Sequence, residues 1–193
     1  MSAPRGTGVP AGPDWIHEIK HDGYRLIVQR EGKRVRLFTR NGYDSSQRFP
    51  LIVEAAQRIR QSSFVIDGEA VLLGVDGRSD FDGLHSRQHD EEVQFYAFDV
   101  LVSDGEDLRS LPLHLRKNNL ARLLTKRVDG LFLSDFEQGE IGPDLFRHAC
   151  KFGLEGMVCK RADRPYQAGR SKHWMKVKNR KHPAMERVMD ALA

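Results

Sequence analysis

Apolar residues occupy every second position through much of this sequence, and that spacing is typical of half-buried β-strands. Two longer runs are almost continuously apolar, which indicates strands that are more deeply buried. The turn Glu31-Gly32-Lys33 joins two of the alternating segments into a hairpin. The pattern predicts strands at Trp15–Lys20, Tyr24–Arg30, Val35–Thr39, Phe64–Leu73, Val93–Val102, Leu131–Ser134, Gly156–Arg161 and His173–Asn179.

Other segments carry apolar residues three or four positions apart with charged residues opposite, as in an amphipathic helix. Helices are predicted at Phe49–Gln61, at Pro112–Lys126, from Gly142-Pro143 to about Phe152 and at Pro183–Leu192, with a short one within Phe81–His89. Strands and helices do not alternate regularly along the chain. The predicted fold class is therefore α+β with mostly antiparallel sheets.

The length and composition fit one domain with a hydrophobic core. The chain has 193 residues, of which 39% are hydrophobic. We expect a flexible lead-in rich in Gly, Pro and Ala at residues 1–13, a domain at residues 14–180 and a short helix at residues 181–193. No apolar run reaches the length of a membrane span, and the N-terminus lacks the apolar centre of a secretory signal.

Charge and cysteine content add only weak constraints. The formal net charge of +4 permits contact with nucleic acids, but many globular proteins share it. The two cysteines, Cys150 and Cys159, form neither a disulfide framework nor a zinc-binding spacing. A reduced, cytoplasmic setting is the natural interpretation.

Short motifs that carry reactive or charged residues follow one another along the chain. Lys20 lies between acidic residues just after a predicted strand, and a lysine amine attacks phosphorus only when it is deprotonated. Alternation places Lys176 and Lys178 on one strand face, although a solvated surface would show the same pattern. The motifs are Glu18-Ile19-Lys20-His21-Asp22-Gly23-Tyr24-Arg25, Arg40-Asn41-Gly42, Asp67-Gly68-Glu69, Phe95-Tyr96-Ala97-Phe98-Asp99-Val100-Leu101, Glu155-Gly156-Met157-Val158-Cys159-Lys160-Arg161 and Trp174-Met175-Lys176-Val177-Lys178.

In this order the motifs resemble those of the covalent nucleotidyltransferases, which include ATP-dependent DNA ligases, RNA ligases and mRNA-capping enzymes. The strings at residues 38–44 and 164–171 look most like the ligase domain of bacterial ligase D. The resemblance extends from Trp15 to Asn179. It implies antiparallel β-sheets flanked by helices with a nucleotide groove between them, in a bacterial, nucleoid-associated protein of DNA repair and recombination.

The resemblance also implies a role for individual residues. Lys20 would attack the α-phosphate of ATP, expel pyrophosphate and form a lysyl-AMP intermediate. Phe98 would stack on the adenine, and the lysines of the last motif would face the phosphates. The full set of nucleotide-binding residues that it implies is Glu18, Ile19, Arg25, Glu69, Phe98, Lys160, Lys176 and Lys178.

Two further assignments concern DNA and metal. Arg40 resembles the residue that contacts the 5′-phosphate of a nick, a role suited to a bidentate guanidinium. Glu155 and Glu69 are carboxylates in apolar segments, where an ionised carboxylate requires a partner or a metal ion. We expect Glu69 to contact a ribose hydroxyl, and both residues are candidate ligands of the Mg²⁺ or Mn²⁺ that accompanies the triphosphate. A structural ion pair with an arginine is the alternative use of each carboxylate.

The sequence departs from full-length ligases after its last motif. Only 15 residues follow Lys178, too few for the five-stranded OB-fold domain that clamps DNA. A natural stand-alone domain and a piece excised from a longer protein both fit this observation, and the Met start slightly favours the former. We expect lysyl-AMP formation, with nick sealing weak or absent unless a partner protein supplies the clamp.

Three interpretations of function remain open at this point. The favoured one is an ATP-dependent adenylyltransferase of the DNA-ligase type that acts on nicked or broken DNA. The second is a nucleotidyltransferase of the RNA-ligase or capping type, with RNA as acceptor. The third is a nucleotide-binding or regulatory module without turnover.

Overall fold

The structure, a computed structural model, describes residues 8–169 and 171–185. Within them the strands are β1 (Trp15–Ile19), β2 (Tyr24–Glu31), β3 (Arg34–Thr39), β4 (Ser63–Val71), β5 (Gln94–Ser103), β6 (Glu106–Asp107), β7 (Leu131–Leu133), β8 (Phe136–Gln138), β9 (Gly156–Arg161) and β10 (Trp174–Lys178). The helices are α1 (Pro50–Arg58), α2 (Phe81–Ser86), α3 (Leu113–Leu123) and α4 (Gly142–Lys151), with a 3₁₀-helix at Pro183–Met185.

The chain divides into two compact units. The first comprises Met1–Asp22 and Asp135–Ala193, of which residues 8–22, 135–169 and 171–185 are described, and the second comprises Gly23–Ser134. The first unit is thus assembled from two separate stretches of chain. The boundaries predicted at residues 14 and 180 stay a prediction.

The second unit is a sheet with strand order β3-β2-β4-β5-β6, in which β7 pairs with β5 in parallel and the other pairs are antiparallel. Alternate residues of the strands point to one face, where they pack with helices α1 and α3 in a single apolar core. Fully buried members of this core include Leu26, Val28, Leu37, Phe49, Ile52, Ile66, Phe95, Ala97 and Leu120.

Close contact between β4 and β5 explains the glycine of the Asp67-Gly68-Glu69 motif. A Cβ on Gly68 would lie 2.5 Å from the Tyr96 carbonyl oxygen and 2.4 Å from the Phe95 ring. The strand register also shifts between Asp67 and Gly68, as at a β-bulge. The extra residue of the bulge is Phe98 on β5, which lies between the residues that pair with Asp67 and Gly68.

A buried ion pair fastens α3 to this sheet. Arg116 on α3 donates from Nε and Nη2 to the two carboxylate oxygens of Asp99 on β5, at 2.8 and 2.9 Å. Both side chains are fully buried. Its Nη1 also donates to the carbonyl of Leu111, so the bidentate guanidinium is held on three sides.

The first unit is a sheet with strand order β10-β9-β1-β8, and every pair is antiparallel. Helix α4 packs on one face, against apolar side chains that alternate with the charged residues of the motifs. This apolar face includes Trp15, Ile19, Met157, Cys159 and Met175, which pack with Leu145, Phe146 and Ala149.

A buried thiol lies on this apolar face and is expected to be unreactive. Burial raises the pKa of the Cys159 thiol to about 12, and its Sγ lies 3.3 Å from Nδ1 of the buried His17. Because only the thiolate reacts, and it is scarce far below the pKa, alkylation of Cys159 at pH 8 should be roughly 10³-fold slower than that of a free thiol. The half-buried Cys150 should be labelled first.

Iodoacetamide labelling followed by peptide mass analysis checks this expectation. In the native protein the label should be found at Cys150, and Cys159 should react only after denaturation. Simultaneous labelling of both thiols in native protein at pH 8 would contradict the described packing.

The α+β, mostly antiparallel fold class predicted from the sequence is confirmed. The predicted helix Phe49–Gln61 ends earlier, at Arg58. The reason is that Nη1 of Arg30 donates hydrogen bonds to the carbonyl oxygens of Ala56 and Ile59 at the end of the helix. The short strands β6 and β8 were not predicted. Of the predicted helix at residues 183–192, the described part, Pro183–Met185, is a 3₁₀-helix, and the remainder lies outside the described residues.

No helix in residues 8–169 and 171–185 is long and apolar enough to cross a membrane.

Candidate active site

Lys20 follows directly on β1 in the first unit. Its backbone N–H donates to the carbonyl oxygen of Gly156 at 3.0 Å, which continues the pairing of β1 with β9 by one residue. Its Nζ contacts Oε2 of Glu155, and the lysine side chain is 14% exposed. The amine predicted to react therefore lies at a partly open position and is held by a carboxylate.

Glu155 connects two lysines at this point. Nζ of Lys178 lies 3.0 Å from Oε1 of Glu155, while Lys20 contacts the other oxygen. The Glu155 side chain is only 3% exposed, so its charge is compensated by these two cations rather than by water. From the sequence, an ion pair with an arginine is the alternative use of Glu155. In the structure Glu155 forms ion pairs with Lys20 and Lys178 instead.

The backbone around Glu155 is fixed by the strand that carries Lys178. Asn179 donates its N–H to the Glu155 carbonyl at 2.8 Å and its Nδ2 to the Leu154 carbonyl at 3.1 Å. Gly156 has a φ of +143°, and a Cβ there would lie 2.1 Å from the Val177 carbonyl oxygen. Glycine at this position allows β9 and β10 to approach closely enough for Lys178 to reach Glu155.

Strand register collects the charged motif residues on one face of the sheet. Glu18 is opposite Val158, and Val158 is in turn opposite Lys176, so their side chains point the same way. Lys160 and Lys178 lie on this same face by the same register. Ile19 points to the other face, where it is partly buried against the apolar cluster.

Glu18 and Lys160 form a second ion pair on the charged face. Nζ of Lys160 lies 2.5 Å from Oε2 of Glu18, and both side chains are almost fully buried. The ammonium also lies 4.2 Å from the centroid of the Trp174 ring, which is a cation–π contact. Tyr166 in turn meets Trp174 edge-on. Lys160 is thus a firmly positioned charge beside the strand that leads to Lys20.

His21 is adjacent to Lys20 and is expected to be uncharged at neutral pH. Burial lowers the pKa of its imidazole, the neighbouring Lys20 lowers it further, and the charges of Glu18, Asp135 and Glu155 act in the opposite direction. A neutral ring adds no competing positive charge beside Lys20.

The second unit carries the remaining predicted nucleotide-binding residues. Arg25 donates from Nε to Oδ1 of Asp67 at 2.9 Å and from Nη2 to Oδ2, and its Cζ lies 5.6 Å from the Phe98 ring centroid. Glu69 is the cross-strand partner of Arg25 on the same face. Phe98 is half-buried, whereas Phe95 is fully buried in the core.

Arg40 lies at the start of an exposed turn that follows β3. The turn is closed by the N–H of Gly42, which donates to the Thr39 carbonyl at 2.9 Å, and Gly42 has a φ of +83°. Tyr43 at its tip is 72% exposed. The Arg40 guanidinium is therefore presented to solvent at a defined corner of the second unit.

The described residues do not form a preformed metal centre. Residues 8–169 and 171–185 contain no group of three or more His, Cys, Asp or Glu side chains that could hold a metal ion. Mg²⁺ is commonly held by one or two carboxylates together with substrate phosphates, so it requires fewer protein ligands than such a group provides. The metal-binding roles of Glu155 and Glu69 stay predictions.

Sequence reasoning missed several residues that shape the site. Asp67 positions Arg25, Asn179 fixes Glu155, and Trp174 covers Lys160. An acidic residue inside an apolar strand was a usable signal for Asp67, because a buried carboxylate requires a cation. The other two contacts depend on strand register, which the local sequence does not reveal.

Comparison with protein families and curated proteins gives a consistent result. The family described as "ATP dependent DNA ligase domain" matches residues 9–178. The "Multifunctional non-homologous end joining protein LigD" of Pseudomonas aeruginosa is 37% identical over 172 residues, which are 88% of this chain and 20% of that protein. A "DNA ligase" of Natronomonas pharaonis is 34% identical over 194 residues, covering 92% of this chain and 35% of that protein. The chain thus spans about a fifth to a third of the length of these relatives.

Solved structures show the same similarity. A structure described as "mycobacterial DNA ligase D complexed with ATP and MES" superposes with a TM-score of 0.80 at 33% identity, covering 91% of this chain and 58% of that one. "Chlorella virus DNA ligase-adenylate" superposes with a TM-score of 0.65 at 15% identity, covering 91% and 67%, and at that identity shows the fold alone.

Proposed function

Because this chain belongs to the ATP-dependent DNA ligase domain family, we propose that it uses ATP to form a covalent lysyl-AMP at Lys20. The AMP group would then pass to the 5′-phosphate of a nucleic acid. The observation that carries this proposal is the contact of Lys20 with Glu155 on a strand face that also bears Lys178.

The chemistry requires an uncharged amine in line with the α-phosphate. Nζ of Lys20 forms the new bond to the α-phosphorus, the bond from that phosphorus to the bridging oxygen breaks, and pyrophosphate leaves. Nζ also gives up a proton, and the Glu155 carboxylate in contact with it is a ready acceptor. Lys176 and Lys178 on the same face would offset the charge on the phosphate oxygens.

The residues of the second unit fit recognition of the nucleoside. Phe98 offers a half-buried aromatic face for the adenine, and such stacking contributes roughly 1–3 kcal/mol per base. The Arg25 guanidinium is held in place by Asp67, and Glu69 would accept a hydrogen bond from a ribose hydroxyl. The solved mycobacterial ligase D structure that resembles this chain is a complex with ATP, which supports this assignment.

A divalent cation fits the donor set only in part. Mg²⁺ or Mn²⁺ bound to the triphosphate would neutralise charge on the leaving pyrophosphate, with Glu155 and Glu69 as the candidate protein ligands. Of these carboxylates, Glu155 already has both oxygens in contact with lysines.

Nicked or broken DNA is the proposed acceptor. The name of the Pseudomonas relative refers to end joining, and the exposed Arg40 suits a 5′-phosphate. RNA is the alternative acceptor. When the 193-residue chain is assayed alone, we expect the lysyl-AMP adduct to form more readily than nicks are sealed. Adding a cell extract to the sealing assay tests whether a partner protein supplies a DNA clamp. A bacterial cytoplasmic, nucleoid-associated setting follows from the same proposal.

Intact mass measurement tests the proposed function. Incubation with ATP and Mg²⁺ or Mn²⁺ should add one AMP-sized mass, peptide mapping should place it on Lys20, and added pyrophosphate should remove it. GTP should give little adduct. A preference for GTP would favour the capping type, whereas protection by ATP against heat without any adduct would favour a nucleotide-binding module without turnover.

A further inference from the structure

An unusual share of unpaired positive charge is concentrated on one strand of the second unit. Half of the fourteen arginines of this unit hold a carboxylate or a carbonyl oxygen, namely Arg25, Arg30, Arg48, Arg58, Arg78, Arg109 and Arg116. By contrast, the side chains of Lys33, Arg34, Arg36 and Arg40 form no ion pair or hydrogen bond with any residue in the described ranges. These four cations lie within eight consecutive positions, on β3 and its two ends.

Strand geometry places two of these arginines, Arg34 and Arg36, side by side in a row on one face of β3. Val35 and Leu37 point into the core, so Arg34, Arg36 and Phe38 point to the outer face. Two residues along a strand span about 6.6 Å, and the six residues of β3 span about 20 Å. The Arg36 guanidinium lies over the Phe38 ring at 5.0 Å, which restricts its orientation.

The row borders a surface pocket that an anion could enter. Arg34 and Arg36 line it together with Asp44, Ser46 and Gln47. The Asp44 carboxylate accepts hydrogen bonds from the N–H and the hydroxyl of Ser46, and it forms no ion pair with either arginine. One carboxylate and two guanidinium groups leave a net positive charge in the pocket. β3 is the edge strand of its sheet, and its open edge is bridged by Asp44 at Phe38. On the face that carries the row, Arg34 is exposed and Arg36 is half-buried.

We propose that Arg34 and Arg36 bind backbone phosphates of a nucleic-acid duplex and extend the contact made by Arg40 along β3. This inference rests on the proposed function, because it presumes a duplex acceptor at Arg40. The 20 Å length of β3 corresponds to about six nucleotides of one strand at about 3.4 Å each. Stacking of unpaired bases is not favoured, because it requires a row of aromatic faces and Arg36 already covers Phe38.

Fluorescence anisotropy with a labelled nicked DNA duplex, measured over a series of salt concentrations, tests the proposal. The double variant Arg34→Gln/Arg36→Gln should bind at least about fivefold more weakly at low salt, and its slope of log affinity against log salt should fall by about 1.8. The matched control is Arg60→Gln/Arg122→Gln, which removes two exposed, unpaired arginines elsewhere in the same unit. Its affinity and slope should match those of the wild type.

Four further outcomes decide the matter. Arg34→Lys/Arg36→Lys should restore most of the slope, because it restores the charge. Equal losses in both glutamine doubles, or no binding of the duplex by the wild type at low salt, would overturn the proposal. Formation of the AMP adduct by the wild type is measured in parallel. If duplex binding depends on Arg34 and Arg36 but no AMP adduct forms, the result would support phosphate binding by these two arginines and refute the proposed adenylation.

Discussion

Lys20→Ala should abolish the AMP adduct altogether, a loss of at least about 10³-fold that reaches the detection limit of intact mass measurement. No other group can replace a nucleophile that forms the bond to phosphorus. Lys20→Arg should be equally inactive, because a guanidinium keeps the ion pair with Glu155 but does not deprotonate at neutral pH. The pair of variants thus separates the need for a nucleophile from the need for a positive charge.

The control for this experiment is Lys33→Ala, which removes an exposed lysine from a turn of the second unit. It should form the adduct at the wild-type rate. An adduct that persists in Lys20→Ala and maps to Lys178, the other lysine on Glu155, would show that the nucleophile has been assigned to the wrong residue.

The largest effect on stability is expected at the buried pair of Asp99 and Arg116. Asp99→Ala should lower the free energy of unfolding by about 3–5 kcal/mol, because it leaves the Arg116 guanidinium buried without its carboxylate. Such a loss is a large fraction of the roughly 5–15 kcal/mol that stabilises a typical domain. Urea denaturation followed by circular dichroism measures it.

A double-mutant cycle makes the argument specific to the pair. Arg116→Met alone should be strongly destabilising, whereas Asp99→Ala/Arg116→Met should cost less than the sum of the two single changes. Glu54→Gln is the control, since it breaks an exposed pair with Arg58 on α1 and should cost less than about 0.5 kcal/mol. Simple additivity at Asp99 and Arg116 would mean that the pair does not act as a unit.

Local sequence predicted the elements of this fold well but not their partners. Period-two alternation located β1, β2, β3, β9 and β10 to within a residue or two at each end. The end of α1 was placed too late, because Arg30 from another strand binds the carbonyls at its C-terminus. A three-residue strand such as β8 has no sequence signal of its own and exists only through its pairing with β1.

The candidate site shows the same division. Motif order predicted site roles for Lys20, Glu155 and Lys178, and the structure places these three side chains in contact. That Glu155 holds both lysines could not be predicted, since it depends on the register of β9 and on the left-handed backbone at Gly156. The pairing of Glu18 with Lys160 joins residues 142 positions apart and equally requires the sheet.

The position of β1 in the middle of its sheet sets an order of events during protein synthesis. The strand that leads to Lys20 is made first, yet its hydrogen-bonded neighbours β8 and β9 come from residues 136–138 and 156–161. Lys178 leaves the ribosome about 160 residues after Lys20, which at about 5–20 residues per second is a delay of about 8–32 s. The second unit, encoded between them, can fold in that interval, so a nascent chain contains Lys20 long before it contains the strands and the lysine that surround Lys20 in the folded unit.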